Sequence, residues 1–225
     1  TDNFGINMSV NSSKNWNSGG QTDKKVVDVS TYLVGSSVMI LKKGYPLGSI
    51  WSFDFAGLNP ENGRPTFNRI MSEEEYNGDR TSFLVYSGQK DPYFTGGLNL
   101  NIRYHSFTLG TTFSLLLGGV TRLKSPYRDM QNGSYMPDPD KNLNKDLLKR
   151  WKKPGDEAHT NIPGFMIGNS DKMMKLPTGG NYDVLQAYSY SDALTVPRSF
   201  LRCRGINLSW RLNNKMIQKF GLNNL

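Results

Sequence analysis

Four stretches of the chain alternate apolar and polar residues with a period of two, the pattern of a strand that buries one face. Phe4, Ile6, Met8 and Val10 alternate with Gly5, Asn7, Ser9 and Asn11. Trp51, Phe53 and Phe55 alternate with Ser52, Asp54 and Ala56. Leu98, Leu100, Ile102 and Tyr104 alternate with Gly97, Asn99, Asn101 and Arg103. Phe107, Leu109, Phe113, Leu115 and Leu117 share one face, and Thr108, Gly110, Thr112 and Ser114 the other. A fifth stretch changes phase. Leu201 and Cys203 lie on one parity, and Ile206, Leu208, Trp210 and Leu212 on the other. The slip at Arg204-Gly205 predicts a bulge at Gly205. A weaker sixth strand is predicted from about Val38 to Lys42.

The connections between these strands are of two kinds. His105-Ser106 reads as a tight hairpin turn, and Gly44-Tyr45-Pro46-Leu47-Gly48 as a second tight connection. The remaining connections, 13–36, 57–95 and 119–198, are long for a soluble domain. Short turns alternating with long loops are the arrangement of outer-membrane barrels. The pattern therefore predicts an all-β fold: about six antiparallel strands of a transmembrane β-barrel with long extracellular loops. The alternative is a soluble all-β carbohydrate-binding module, in which the apolar faces would meet in a core. Tyr104 and Phe107 flank the hairpin turn, and Trp51 lies near the other tight connection. An aromatic girdle would stand at such positions; ordinary core aromatics would too.

Composition narrows the choice only partly. No run of about 18 apolar residues is present, so no transmembrane helix is available. A barrel strand needs only about 9–11 residues with every second one apolar. A mean hydropathy of -0.54 is thus compatible with a barrel and with a soluble β-protein. The 23 glycines and the many Asn and Ser residues suit strands joined by turns and polar loops. The formal charge of +8 suits an anionic partner such as nucleic acid or lipid head groups. The cations are spread along the chain, with one cluster at Lys145, Lys149, Arg150, Lys152 and Lys153. No nucleic-acid motif accompanies them, and no nucleic-acid partner is expected.

The candidate chemistry is thin. The single cysteine, Cys203, makes neither an intrachain disulfide nor a zinc cluster and reads as a packed thiol. Leu143, Leu147, Leu148 and Trp151 recur at helical spacing and predict a short helix from Asn142 to Trp151, ended by Pro154-Gly155. Asp138, Asp140 and Asp146 lack the glycine and terminal glutamate of a calcium loop. Asp156-Glu157 beside His159 has no nucleophile or oxyanion site near it in sequence. Neither His105 nor His159 has a zinc-like partner at i+4, and no phosphate loop, dinucleotide fingerprint or nucleophile elbow occurs. An enzyme is not expected, nor a cofactor or a metal.

Four blocks carry a family resemblance: GYPLGSIWSFDFAGLNPENGRPTF at 44–67, DPYFTGGLNLNIRYHSFTLGTTFSLLLGG at 91–119, NLNKDLLKRWKKPGDEAHTNIPGF at 142–165 and RSFLRCRGINLSWRLNNKMIQKFGLNNL at 198–225. In this order they resemble the C-terminal part of the barrel in SusC/RagA-type TonB-dependent transporters of the Bacteroidetes. Cys203 and Gly205 depart from the family pattern, which usually has an apolar residue and an Asn at those places. The resemblance implies that residues 1–225 are one segment of a TonB-dependent receptor β-barrel of about 22 strands. The plug, the N-terminal domain and the last strands would lie outside the segment.

The family's activity is nutrient uptake across the bacterial outer membrane. Glycans or peptides are captured between the barrel and a SusD-type surface lipoprotein, and TonB acts through the N-terminal part. By that resemblance, Asp54, Asn99, Asn101 and Arg103 are lumen-facing candidates, since they oppose the apolar face. Tyr86, Tyr93, Tyr127 and Tyr135 in or beside the loops are candidates for stacking on substrate. Outer-membrane lipid would be the partner of the apolar face.

Overall fold

Alternation of side chains fixes a strand's faces but not its neighbours, which hydrogen-bond register must supply. The computed structural model describes residues 3–20, 42–76, 79, 82–127, 140, 142–166, 172–212 and 214–219. In chain order its strands are β1 Phe4–Lys14, β2 Ser49–Phe53, β3 Phe55–Leu58, β4 Pro65–Phe67, β5 Leu84–Gln89, β6 Phe94–Tyr104, β7 Phe107–Leu117 and β8 Val120–Arg122. They continue with β9 Met173–Lys175, β10 Asn181–Asp183, β11 Thr195–Pro197 and β12 Phe200–Trp210. Short helices span Val184–Ser189 and Asn214–Lys219. The fold is all-β, and every strand pair is antiparallel.

The chain divides into two compact units. The first comprises 1–16, 92–119 and 198–225. Its frame is one sheet in the order β1-β6-β7-β12, each strand 11 residues long. The predicted hairpin is present: β6 and β7 pair from Tyr104–Phe107 to Phe94–Leu117 across His105-Ser106. The turn needs a left-handed residue, and His105 supplies it at φ 51°. The predicted bulge is present too, because the β12–β7 register slips between Cys203 and Gly205. At the opposite end of the sheet the Asn15 N–H donates to the Tyr93 carbonyl at 2.9 Å, and the Gly118 N–H to Ser199 Oγ at 2.9 Å. Gly118 sits at φ 77°, and a Cβ there would run into the Tyr93 ring, so this corner admits only glycine.

The second unit comprises 17–91 and 120–197, the two long excursions that sequence patterning reads as loops. They fold together. Trp51, Phe53, Phe83, Leu84, Leu176 and Ala187 form one buried cluster, and Tyr127, Leu147, Met166, Val184 and Leu185 another. The helix Val184–Ser189 starts where the Asp183 side chain accepts the Gln186 N–H at 2.8 Å. It buries Val184, Leu185, Ala187 and Tyr188, as a helix apolar on most sides must.

This unit corrects several expectations. The stretch Trp51–Phe55 is not a wall strand beside β1 and β6. It breaks at Asp54, and β2 pairs with β5 inside the second unit with every residue buried. Ser49 and Ser52 are small enough to be buried with Trp51 and Phe53, so its alternation reflects two covered faces rather than one. Among the described residues the sheet accordingly has four strands. Of the weak strand at Val38–Lys42 only Lys42 is described, and it is not in a strand. The Gly44–Gly48 turn leads into β2 and joins no two strands of the sheet. The predicted helix at Asn142–Trp151 contracts to a 3-10 turn, Lys145–Lys149. Asn144 caps it, and extended backbone at Arg150 ends it. Leu147 is buried there, but Leu148 is exposed, so the two share no face. Cys203 is exposed on β12 rather than packed.

Candidate functional site: a sheet with two unlike faces

The four-stranded register turns the sequence alternation into rungs that cross the whole sheet. On one face run Phe4–Tyr104–Phe107–Trp210, then Ile6–Ile102–Leu109–Leu208, then Met8–Leu100–Thr111–Ile206, then Val10–Leu98–Phe113–Cys203. This face is apolar and open: Met8 is 67% exposed and Ile206 72%. Its first rung is wholly aromatic. Sequence reading finds Tyr104 and Phe107 there; Phe4 and Trp210 join only through the register. Phe107 and Trp210 stack with centroids 5.7 Å apart. An 11-residue strand is about 34 Å long. Tilted as barrel strands are, it spans about 25 Å, the height of an outer-membrane apolar band.

The other face is polar. Its rungs are Gly5–Arg103–Thr108–Ser209, Asn7–Asn101–Gly110–Asn207, Ser9–Asn99–Thr112–Gly205 and Asn11–Gly97–Ser114–Arg202. Three of the sequence candidates, Asn99, Asn101 and Arg103, therefore lie on one face of one strand, as their parity predicts. Thr112 Oγ1 donates to Asn99 Oδ1 at 2.9 Å, and Arg204 Nε to Ser114 Oγ at 3.2 Å. Two open hollows mark this face. One is lined by Asn99, Asn101, Thr112, Arg204 and Asn207. The other lies by the turn, among Asn3, Arg103, His105, Ser209 and Arg211.

The remaining candidates do not join them. Asp54 lies in the second unit, where its carboxylate accepts Arg69 Nε at 3.1 Å and Asn68 Nδ2 at 3.3 Å. It stitches β3 to the segment after β4. Tyr86, on β5, packs edge-on against Tyr45 and Trp51. Tyr93 covers Gly118 and is half exposed. Tyr127 is fully buried, and its hydroxyl donates to the Pro163 carbonyl at 2.5 Å, so it presents no ring for stacking. Burial raises its pKa above the ordinary 10.0. Tyr135 lies outside the described residues.

Two further groups of the second unit carry structure. Asp156 Oδ2 accepts the backbone N–H groups of Lys152 and Lys153, and Glu157 Oε2 accepts Gly155 N–H and Trp151 Nε1. These bonds fix the loop that bears the lysine cluster, and the Glu157 carboxyl is held below its ordinary pKa first by its own backbone N–H and then by the Trp151 and Gly155 donors. Arg122 donates to the Trp51 carbonyl at 2.8 Å and to Ser52 Oγ at 3.1 Å, over the Tyr190 ring. Burial pulls its pKa down to about 10, so it remains cationic at neutral pH. Among the described residues, no group of His, Cys, Asp and Glu is placed to hold a metal. None of their helices is long and apolar enough to cross a membrane.

The geometry defines an all-β protein whose antiparallel sheet presents one apolar and one polar face. The comparison with solved structures agrees at the level of fold. The chain is similar to a chain of the RagAB peptide importer in its open-open state, with a TM-score of 0.58, 16% identity and 96% of this chain covered. It is similar to a chain of the same importer in its closed-closed state, with a TM-score of 0.58, 17% identity and 96% covered. It spans 21% and 22% of those chains' own lengths. No protein-family model matches the sequence, and no curated protein does.

Proposed function

We propose that this chain forms part of the wall and surface of a TonB-dependent outer-membrane transporter of the SusC/RagA type. It takes up peptides or glycans with a SusD-type lipoprotein and catalyses no reaction of its own. The observation that carries this reading is the open apolar face of the β1-β6-β7-β12 sheet, closed at one end by an aromatic rung. In water such a face is costly, at about 25 cal/mol per Å² of apolar area; in lipid it is solvated. Both edges of the sheet, β1 and β12, would be paired by further strands in a closed barrel. The fold likeness to RagAB importer chains supports the same reading. A soluble carbohydrate-binding module fits less well, because it would cover the apolar face with a second sheet.

The test is a labelling scan of β6 in lipid. Single cysteines at positions 98 to 103, in a C203S background, carry an environment-sensitive dye. Quenching by spin-labelled lipid is expected at 98, 100 and 102 and quenching by aqueous iodide at 99, 101 and 103. A chain that stays soluble and monomeric without detergent, with no lipid quenching at any position, would overturn the transporter reading in favour of the soluble module.

A further inference from the structure

The fold sorts charge in a way the linear sequence conceals. The first unit holds less than a third of the residues, yet it carries +7 of the chain's +8. Its Lys and Arg residues number eight, and its sole Asp or Glu in sequence is Asp2. Four of those cations gather on the polar face. Register puts Arg103 and Arg202 on it, and Arg211 follows Ser209 by two positions beside the same hollow as Arg103. Arg204, at the bulge, reaches the same face through its bond to Ser114. Arg202 lies over the Phe200 ring at 4.8 Å. No carboxylate among the described residues pairs with any of the four. A guanidinium presents a fork of donors that matches a carboxylate in bidentate geometry.

Between the arginines the surface is amide. Asn7, Asn101 and Asn207 stand on one rung, with Gly110 keeping the middle of it low. A Cβ at Gly110 would stand 2.8 Å from Asn101 Oδ1. Each Asn offers both a donor and an acceptor, which suits the amides of an extended peptide. The Arg103 and Arg202 rungs meet β1 at Gly5 and Asn11, six positions apart, or about 20 Å. An extended peptide of about six residues spans that distance.

We infer that the polar face of the sheet is a binding surface for acidic peptides, with Arg103, Arg202, Arg204 and Arg211 engaging carboxylates and the Asn7–Asn101–Asn207 rung engaging the peptide backbone. This rests on the transporter reading, in which the polar face lines the transport path.

The experiment measures binding to the full chain in lipid nanodiscs, using a dye-labelled peptide of eight residues rich in Glu and its Gln-for-Glu analogue. The acidic peptide is expected to bind at least about tenfold more tightly than the analogue, with the difference shrinking as salt rises. The pairs R103Q/R211Q and R202Q/R204Q are each expected to cut that difference by about threefold, the acidic peptide losing more affinity than the analogue. Arg→Lys at the same positions keeps charge but loses the fork and is expected to fall between. If the Gln variants do not fold, the Lys variants and the salt dependence of the native chain decide. Equal affinity for both peptides overturns the inference, as does a preference that the substitutions leave intact. Variants that loosen the folded assembly without altering peptide selectivity would assign these arginines to carboxylates of a neighbouring protein segment, which also overturns it. Tighter binding of an oligogalacturonate than of the peptide overturns the peptide assignment. The β6 labelling scan reads membrane insertion independently, so failure of the transporter reading is distinguishable from failure of this one.

Discussion

Phe107 and Trp210 stack face to face across the β7–β12 ladder, with planes 8° from parallel, at the end of the sheet where the chain turns at His105-Ser106. An offset aromatic pair of this kind contributes about 1 kcal/mol beyond the area it buries. It also ties the outermost strand to the local hairpin at the sheet's aromatic rung. Trp210→Ala is expected to lower the unfolding free energy in detergent by about that amount or somewhat more, and Trp210→Phe to preserve most of it. Equal stability of both variants in denaturant titrations would remove the stack from the account.

Gly63 is a second point at which the fold admits one residue type. It lies at φ 68°, and a Cβ there would fall inside the Trp151 ring. Its carbonyl accepts the Gly164 N–H at 3.0 Å, so the ring and the loop cannot part freely. Gly63→Ala combines left-handed strain with overpacking and is expected to cost on the order of 2–4 kcal/mol. Chemical denaturation followed by near-ultraviolet circular dichroism measures it. A loss below about 0.5 kcal/mol would mean that Trp151 leaves its site easily.

Tyr127 separates structural from functional tyrosines. Tyr127→Phe leaves the ring but strands the buried Pro163 carbonyl, at an expected cost of about 1–3 kcal/mol. Peptide or glycan binding at saturating folded protein is expected to be unchanged. Loss of binding by a variant of native stability would return Tyr127 to the list of ligand contacts.

The alkaline limit follows from the same burial. Tyr127 and Tyr188 both have pKa values raised above 10.0, chiefly by desolvation. The neutral phenol is favoured in the folded state, so the contribution to stability is complete below pH 10, the unfolded value. It falls as pH climbs above it, because the unfolded chain then loses protons that the folded chain retains. Titration at 295 nm is expected to show at least two tyrosines that ionise only together with loss of near-ultraviolet ellipticity. Smooth ionisation of every tyrosine in a folded protein contradicts this.

How far the sequence disclosed the fold depends on how local each feature is. β1, β6, β7 and β12 show their period of two because each has one apolar and one polar face, and the bulge at Gly205 shows because a slip flips the parity of everything after it. Trp51 and Phe53 carry the same period for a different reason, and alternation with serine cannot separate the two cases. The Asn142–Trp151 pattern has helical spacing, but its length of one turn is set by the Asn144 cap and by packing of Leu147, which spacing does not encode. On the site, parity was enough to place Asn99, Asn101 and Arg103 together. That Arg202, Arg204 and Arg211 share this face shows only once β12 is in register with β7. Asp54 goes with β2 and β3 into the second unit, and the burial of Tyr127 is hidden because a loop aromatic is indistinguishable from a core one until the loop has a core.

The second unit is assembled from segments far apart along the chain, and this sets an order of events. The Phe55 N–H reaches Asp192, 137 positions away, and Ser52 Oγ lies 3.5 Å from Thr195 Oγ1, 143 positions away. The β6–β7 hairpin, by contrast, closes across two residues. Closure entropy makes the near pairing fast and the distant one slow. The hairpin therefore closes readily wherever the sheet forms, whereas β2, although β5 follows it closely, also needs the segments around Ala187 and Thr195, more than a hundred residues further on. Until the segment bearing Ala187 is in place, Trp51, Phe53 and Phe83 lack one wall of their cluster, and a chain caught at that stage is the form in which a chaperone would meet it.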